Sequence, residues 1–207
     1  MKIEQFGVEN IIFDLGGVIL NIDIKTAIDN FIKMGISPNQ KELNPISSVK
    51  LFMDYEVGAI SSQDFKDEIS KIAKTGVSNE DFINIWNAII LNYPAENIKI
   101  LEEIKLKYRT FLMSNTNEMH HIHYSNILQT EYGYKSLDEL FEKVYFSHIS
   151  KMRKPEIRFF ELLISENNLN PEKTLFIDDF IENIEAAKLL GIKTLHLSDG
   201  KELKDYF

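Results

Sequence analysis

Cysteine is missing from all 207 residues of the chain. That excludes thiol nucleophiles, Cys-ligated zinc and iron–sulfur clusters, and it removes any disulfide argument for an oxidising compartment. A chain of this length buries roughly 70% of its unfolded surface, so its core needs no such staple. The size suits one domain, or one domain with a sizeable insertion. Basic runs are missing too: 23 Lys and Arg stand against 32 Asp and Glu, a formal net charge of −9. Nothing therefore supplies the counterion release that drives binding to nucleic acid or to an anionic membrane. A small anionic ligand can still bind through a few local cations. Long apolar runs are scarce, and the most apolar stretch, Ile11 to Leu20, is broken by Asp14. The opening residues Met1-Lys2-Ile3-Glu4-Gln5 lack the basic and apolar regions of a secretory signal. These absences predict a soluble, cytoplasmic protein with no membrane and no nucleic-acid partner, and they leave its oligomeric state open. What is present, 44% apolar and 11% aromatic residues, is the composition of a globular protein.

Asn10-Ile11-Ile12-Phe13 is a short apolar run that ends in Asp14 and Gly16-Gly17, the pattern of a buried parallel strand delivering an acid to a loop. Residues 110–113 run likewise into Ser114-Asn115, 143–146 into Ser147, and 174–177 into Asp178-Asp179, while 193–197 form a fifth run. Helix-period segments separate the strands: Ile98, Leu101, Ile104; Phe159, Phe160, Leu163; Ile184, Ala187, Leu190. Pro155 suits a first helical turn and Gly191 a C′ position. Strands alternating with helices predict an α/β fold, a Rossmann-like three-layer sandwich around a parallel sheet. Ligands in such sheets sit beyond the carboxyl ends of the strands, where Asp14, Ser114 and Asp178-Asp179 all fall.

From about Ile24 to Asn92 the alternation stops and only helical patterns remain: Ile24, Ala27, Ile28, Phe31; Phe65, Ile69, Ile72; Phe82, Ile85, Trp86, Ile89. Ser61 with Asp64, and Ser78 with Asp81, make capping-box-like starts for the last two. The pattern predicts a helical cap domain at 24–92 inserted into an α/β core domain of 1–23 and 93–207. A lid over the strand ends would exclude water from the site beneath it.

Taken one at a time, Asp14, Ser114, Lys154 and Asp178-Asp179 read as turn, cap or surface residues. Together, in this order at strand ends, four islands resemble the haloacid dehalogenase superfamily of aspartate-nucleophile hydrolases: Phe13-Asp14-Leu15-Gly16-Gly17-Val18, Met113-Ser114-Asn115-Thr116, Arg153-Lys154-Pro155-Glu156, and Phe176-Ile177-Asp178-Asp179 with Asn183-Ile184-Glu185-Ala186-Ala187. The helical insertion stands where that superfamily carries its C1-type cap. Within it, the Asp-Leu-Gly at the first motif is similar to the subgroup that includes alpha-D-glucose-1-phosphate phosphatase. Tyr55-Glu56-Val57-Gly58-Ala59-Ile60 is a slightly altered form of a signal expected in its cap.

The resemblance implies a Mg²⁺-dependent phosphatase acting on a small phosphorylated metabolite, a sugar phosphate such as a hexose 1-phosphate, through an aspartyl phosphate on Asp14. A carboxylate can attack phosphorus and so divide one hard hydrolysis into two easier steps. Two anions must then meet, and Mg²⁺ with Lys154 would neutralise the transferring phosphoryl group. Mg²⁺ takes one or two protein carboxylates plus waters and a phosphate oxygen. Asp14 and Asp179 suit that role, with Asp178 direct or through water and the Gly16 carbonyl added by resemblance. Ser114 and Asn115 are expected to hydrogen-bond phosphate.

One position departs from the superfamily. Most of its phosphatases carry an Asp general acid two residues after the nucleophile, and here that residue is Gly16. Losing such an acid costs about 10²- to 10⁴-fold in rate, a loss that a good leaving group such as a sugar 1-phosphate tolerates. Asp23, Glu56, His120 and His121 are candidate substitutes, and Glu56 and Asp54 are candidate specificity residues by resemblance. The cluster His120, His121, His123 lacks metal-site spacing and reads as a polar helix face. Tyr124, Tyr132, Tyr134 and Tyr145 read as packing or surface residues, and Trp86 as cap core. Two other readings stand beside the phosphatase: a 2-haloacid dehalogenase, which needs no metal, and a non-catalytic phosphate-binding protein.

Overall fold

The computed structural model describes residues 2–33, 45–73, 76, 78–198 and 200–207, side chains 27, 31 and 45–49 excepted. Five strands, β1 (Asn10–Phe13), β2 (Arg109–Ser114), β3 (Lys143–Phe146), β4 (Thr174–Asp178) and β5 (Lys193–His196), form one parallel sheet in the order β3-β2-β1-β4-β5. The chain runs outward through β2 and β3, then returns to the other side of β1 for β4 and β5. That reversal makes the carboxyl ends of the neighbouring strands β1 and β4 the topological switch point.

Nine helices are described in chain order: α1 (Ile24–Lys33), α2 (Pro45–Glu56), α3 (Ser62–Ile72), α4 (Asn79–Asn87), α5 (Ala95–Ile104), α6 (Glu118–Tyr132), α7 (Ser147–Ser150), α8 (Ile157–Asn167) and α9 (Ile181–Leu189). Alternate strand residues face opposite layers. Ile11, Phe13, Leu112, Leu175 and Ile177 pack against Ile98 and Leu101 of α5 and Tyr124 and Leu128 of α6. Ile12, Phe111, Met113 and Phe176 pack against Phe159, Phe160 and Leu163 of α8 and Ile184 and Ala187 of α9. The result is the three-layer, Rossmann-like α/β fold that the alternating pattern predicts.

Helices α1 to α4 fall between two connecting segments that pair with each other through an isolated antiparallel bridge at Ile22 and Ile90. There the Asn21 N–H bonds the Asn92 carbonyl at 2.9 Å and the Asp23 N–H bonds that of Ile89 at 2.7 Å. Tyr55, Phe65, Ile69, Phe82 and Trp86 form an apolar cluster separate from the two against the sheet, and Met119 of α6 completes it. Ser61 and Ser78 accept hydrogen bonds from the Asp64 and Asp81 N–H groups, as their spacing predicts. Ala27 and Phe31 of the α1 stripe have side chains outside the described residues.

Three features differ from the sequence reading. The helix α2, which ends at Glu56, carries no clear periodic signal and went unanticipated. Pro155 stands before the α8 N-cap, Glu156, joined to Lys154 by a cis peptide, and does not occupy the first turn. Two of the three histidines pack on aromatic rings in place of the expected polar face: His121 stacks on Tyr124 and lies tilted against Phe146, and His120 stacks on Trp86 at 4.9 Å.

Candidate active site

Parallel pairing fixes the first contact. Phe13 is in register with Ile177, and the Asp14 N–H donates to the Ile177 carbonyl at 2.9 Å, so Asp14 and Asp178 emerge side by side. Lys154 stands between their carboxylates: its Nζ donates to Asp14 Oδ1 at 2.6 Å and to Asp178 Oδ2 at 2.7 Å. The lysine is 1% exposed, a depth at which an ammonium is tolerated only with charged partners. Burial opposes its charge, but the facing carboxylates outweigh that and raise its pKa.

Each member of this triad is held by others. The Asn115 amide grips the Lys154 main chain twice, Oδ1 accepting from its N–H at 2.8 Å and Nδ2 donating to its carbonyl at 2.9 Å. Asp178 Oδ1 accepts from the Phe180 N–H at 2.8 Å, and Asn183 Nδ2 lies 3.1 Å from both Asp178 oxygens. Both Asp178 oxygens are thereby engaged. In its neighbour Asp179, Oδ1 is buried without a hydrogen-bond partner.

Asp14, Asp178 and Asp179 each offer an oxygen within 4.8 Å of the others, a group able to hold a metal ion. Desolvation and the neighbouring Asp178 charge push the Asp179 pKa up to about 6. Desolvation likewise pushes Asp14 up to about 7, against the lowering pull of Lys154. Crowded, partly unsatisfied oxygens of this kind suit a hard divalent cation. Gly17 belongs to the same arrangement: its φ is +75°, and a Cβ there would lie 2.3 Å from Asp179 Oδ2.

Two of the triad, Asp14 and Lys154, line a cavity of about 520 Å³. Gly16 and Asn115 line its base, and Tyr55, Glu56, Trp86 and Arg153 line its upper walls. The sequence-predicted residues divide accordingly. Asp14, Gly16, Asn115, Lys154, Asp178 and Asp179 converge, whereas Ser114 is buried at the end of β2 while its neighbours Asn115 and Thr116 line the cavity. Of the candidate proton donors, only Glu56 and His120 line it. Asp23 caps α1 through Thr26, and Asp54 pairs with Lys50. His120 is locked neutral: Nε2 donates to the Trp86 carbonyl at 3.1 Å, and Nδ1 accepts from Asn117 Nδ2 at 3.0 Å. Burial pushes its pKa down to about 4. Trp86, expected as cap core only, also lines the cavity and donates from Nε1 to Asn117 Oδ1 at 3.1 Å.

Sequence reasoning gave no role to Asn183 or Arg153, although both stand inside the quoted islands. Their partners, Asp178 and Glu56, are identified only by three-dimensional contact.

Comparison with known proteins agrees with this geometry. Residues 8–191 match the model of the haloacid dehalogenase-like hydrolases. A D-ribitol-5-phosphate phosphatase from Bacteroides thetaiotaomicron is 27% identical over 195 residues, 94% of each chain. A haloacid dehalogenase family enzyme of that bacterium superposes with a TM-score of 0.85 at 30% identity, covering 96% of this chain and 98% of the other. Its complex with magnesium and inorganic phosphate superposes at 0.81 with 29% identity over the same shares. An L-2-haloacid dehalogenase from Xanthobacter autotrophicus, at 13% identity and a TM-score of 0.56 over 91% of this chain and 77% of that one, shares the fold alone.

Proposed function

Because the chain belongs to the haloacid dehalogenase-like hydrolases, we propose that it is a magnesium-dependent phosphatase of a small phosphorylated sugar or polyol, with Asp14 as the nucleophile. The observation that carries this reading is the buried Lys154, whose Nζ bridges Asp14 and Asp178 beside the partnerless oxygen of Asp179. Dehalogenation, the rival, leaves that extra carboxylate pair without a use. A site kept only for binding phosphate gains nothing from several carboxylates around it.

Asp14 and Asp179, with the Gly16 carbonyl, would hold Mg²⁺, and Asp178 would support it from behind. When bound, Mg²⁺ neutralises charge on the phosphoryl oxygens. Lys154 keeps Asp14 aimed at the cavity and places a second cation beside the incoming phosphoryl group. The Asp14 carboxylate attacks phosphorus as the ester P–O bond breaks, the leaving oxygen takes a proton from water, and a second water then hydrolyses the aspartyl phosphate to release phosphate and free Asp14. The Ser114 hydroxyl and the amide hydrogen of Asn115 not engaged with Lys154 are assigned to phosphate. Residues 24–92 serve as the cap over a core of 1–23 and 93–207.

The relative that hydrolyses D-ribitol 5-phosphate supports the sugar or polyol class. Within it, Gly16 favours esters whose alcohol leaves readily, as a hexose 1-phosphate does. The test is phosphate release from D-ribitol 5-phosphate, glucose 1-phosphate and acetyl phosphate, each with Mg²⁺ and with EDTA, beside Asp14→Asn. Mg²⁺-dependent release that Asp14→Asn abolishes is the expected result. Halide release from 2-chloropropionate without metal, and no phosphate release, would replace this reading with the dehalogenase.

A further inference from the structure

The cavity extends well beyond the triad, and its upper part has a chemistry of its own. The Glu56 carboxylate meets Arg153 Nε at 2.5 Å, both side chains about one quarter exposed at 29% and 26%. Glu56 lies at the end of α2 and Arg153 directly before Lys154, so the pair spans the seam between the helical insertion and the sheet. Its placement is rigid. The Ser147 hydroxyl, 2.7 Å from the Glu56 carbonyl, also lies 2.8 Å from both the carbonyl and the N–H of Thr116. Two residues on, Gly58 adopts a φ of +61°, and a Cβ there would come 2.4 Å from the His148 carbonyl. Lys151 Nζ bonds the Gly58 carbonyl as well. Glu56 is thus presented to the cavity on a turn pressed against α7.

Because Arg153 engages Glu56 through Nε, its two terminal nitrogens have no hydrogen-bond partner among the described residues. Glu182 adds a second carboxylate to the cavity lining. The charged side chains lining the cavity are then Asp14, Glu56 and Glu182 against Arg153 and Lys154, an excess of negative charge within a chain whose net charge is −9. A second anionic group on the substrate would meet repulsion there. Neutral hydroxyls meet the opposite: Glu56 accepts from them, the free Arg153 fork donates to them, and both bonds are charge-assisted. Tyr55 and Trp86, held in the aromatic cluster with Phe65, add apolar surface to the cavity lining.

We infer that Glu56 and Arg153 form the subsite for the departing alcohol, selecting phosphate esters of uncharged polyhydroxylated alcohols over esters bearing a second anion. The inference rests on the proposed phosphatase reading and specifies the class of alcohol within it.

The experiment compares kcat/KM for D-ribitol 5-phosphate, phosphoglycolate and p-nitrophenyl phosphate in the wild-type chain, Glu56→Gln and Glu56→Asp, with circular dichroism to verify folding. Wild type should prefer the polyol ester to phosphoglycolate. Glu56→Gln should lower the ratio of D-ribitol 5-phosphate to p-nitrophenyl phosphate by about ten- to a hundredfold, the worth of a hydrogen bond to a charged group. It should also raise the ratio of phosphoglycolate to p-nitrophenyl phosphate, because Arg153 then lacks its counter-charge. Glu56→Asp should restore part of the polyol preference. Ratios unmoved by Glu56→Gln, or a wild-type preference for phosphoglycolate, would overturn the subsite. Asp14-dependent turnover of p-nitrophenyl phosphate checks the phosphatase reading separately, so failure of one is not mistaken for failure of the other.

Discussion

The adjacent glycines 16 and 17 face opposite fates on substitution by alanine, and the contrast tests the geometry of the acidic cluster. Gly17 has a φ of +75°, a region that costs an L-residue about 1–2 kcal/mol. A methyl there would also sit 2.3 Å from Asp179 Oδ2 and 2.8 Å from its Cγ, so the carboxylate must swing away. Gly16 has no such φ, and its methyl would meet only Ile22 side-chain atoms at 3.5 and 3.6 Å, ordinary contact. For a chain of this size, about 1–2 kcal/mol lowers Tm by roughly 2–8 °C. Displacing Asp179 should raise the Mg²⁺ concentration for half-maximal hydrolysis by about tenfold or more, since even outer-sphere changes at metal sites cost that much. The assays are thermal melting with and without Mg²⁺, and a Mg²⁺ titration of phosphate release. Gly17→Ala should lose both stability and metal response, whereas Gly16→Ala keeps both near wild type. Wild-type Mg²⁺ dependence in Gly17→Ala, or equal damage from Gly16→Ala, would refute the reasoning.

Lys154→Met should abolish turnover and destabilise the fold by about 3–5 kcal/mol in EDTA, because it strands two buried carboxylates; urea unfolding measures this, and a loss under 1 kcal/mol would contradict it. Asn183→Ala removes a donor shared by both Asp178 oxygens; it should cost about 1–3 kcal/mol and lower kcat more than it raises KM, which steady-state kinetics and denaturation read together. Burial pushes the His120 pKa down to about 4 in the fold, from the ordinary 6.5 it keeps when unfolded. Between those values the unfolded chain binds the extra proton, so the stability His120 contributes is full above 6.5 and is lost as pH falls toward 4, by roughly 3 kcal/mol at most. His120→Gln should flatten the stability profile over that window; an unchanged slope would contradict the assignment.

Much of this molecule is legible in its sequence for a physical reason. Strands buried on both faces are continuous apolar runs, and the acids that end β1 and β4 stand out against them. Strand-end geometry then brings Asp14, Asp178 and Asp179 together, whereas Lys154 reaches them from the loop between α7 and α8 and not from a strand end. What is hidden depends on contacts between residues far apart in the chain. Gly17 looks like simple flexibility until Asp179 is seen against it. Glu56 reads as a helix-end acid until Arg153 reaches it, and His120 as one of a polar group until Trp86 and Asn117 occupy its ring. The helix α2 escaped notice because its apolar residues keep no stripe. Pro155 is ambiguous in sequence because a proline before an N-cap and one in a first turn look alike.

The central claim is a covalent phosphoryl group on Asp14, and borohydride trapping tests it most directly. Enzyme quenched during turnover of a phosphate ester with Mg²⁺ and then reduced should yield homoserine at position 14 in its peptide mass spectrum, with none in Asp14→Asn. Phosphate release at a normal rate with no modification at position 14, or with the modification at another residue, would contradict it.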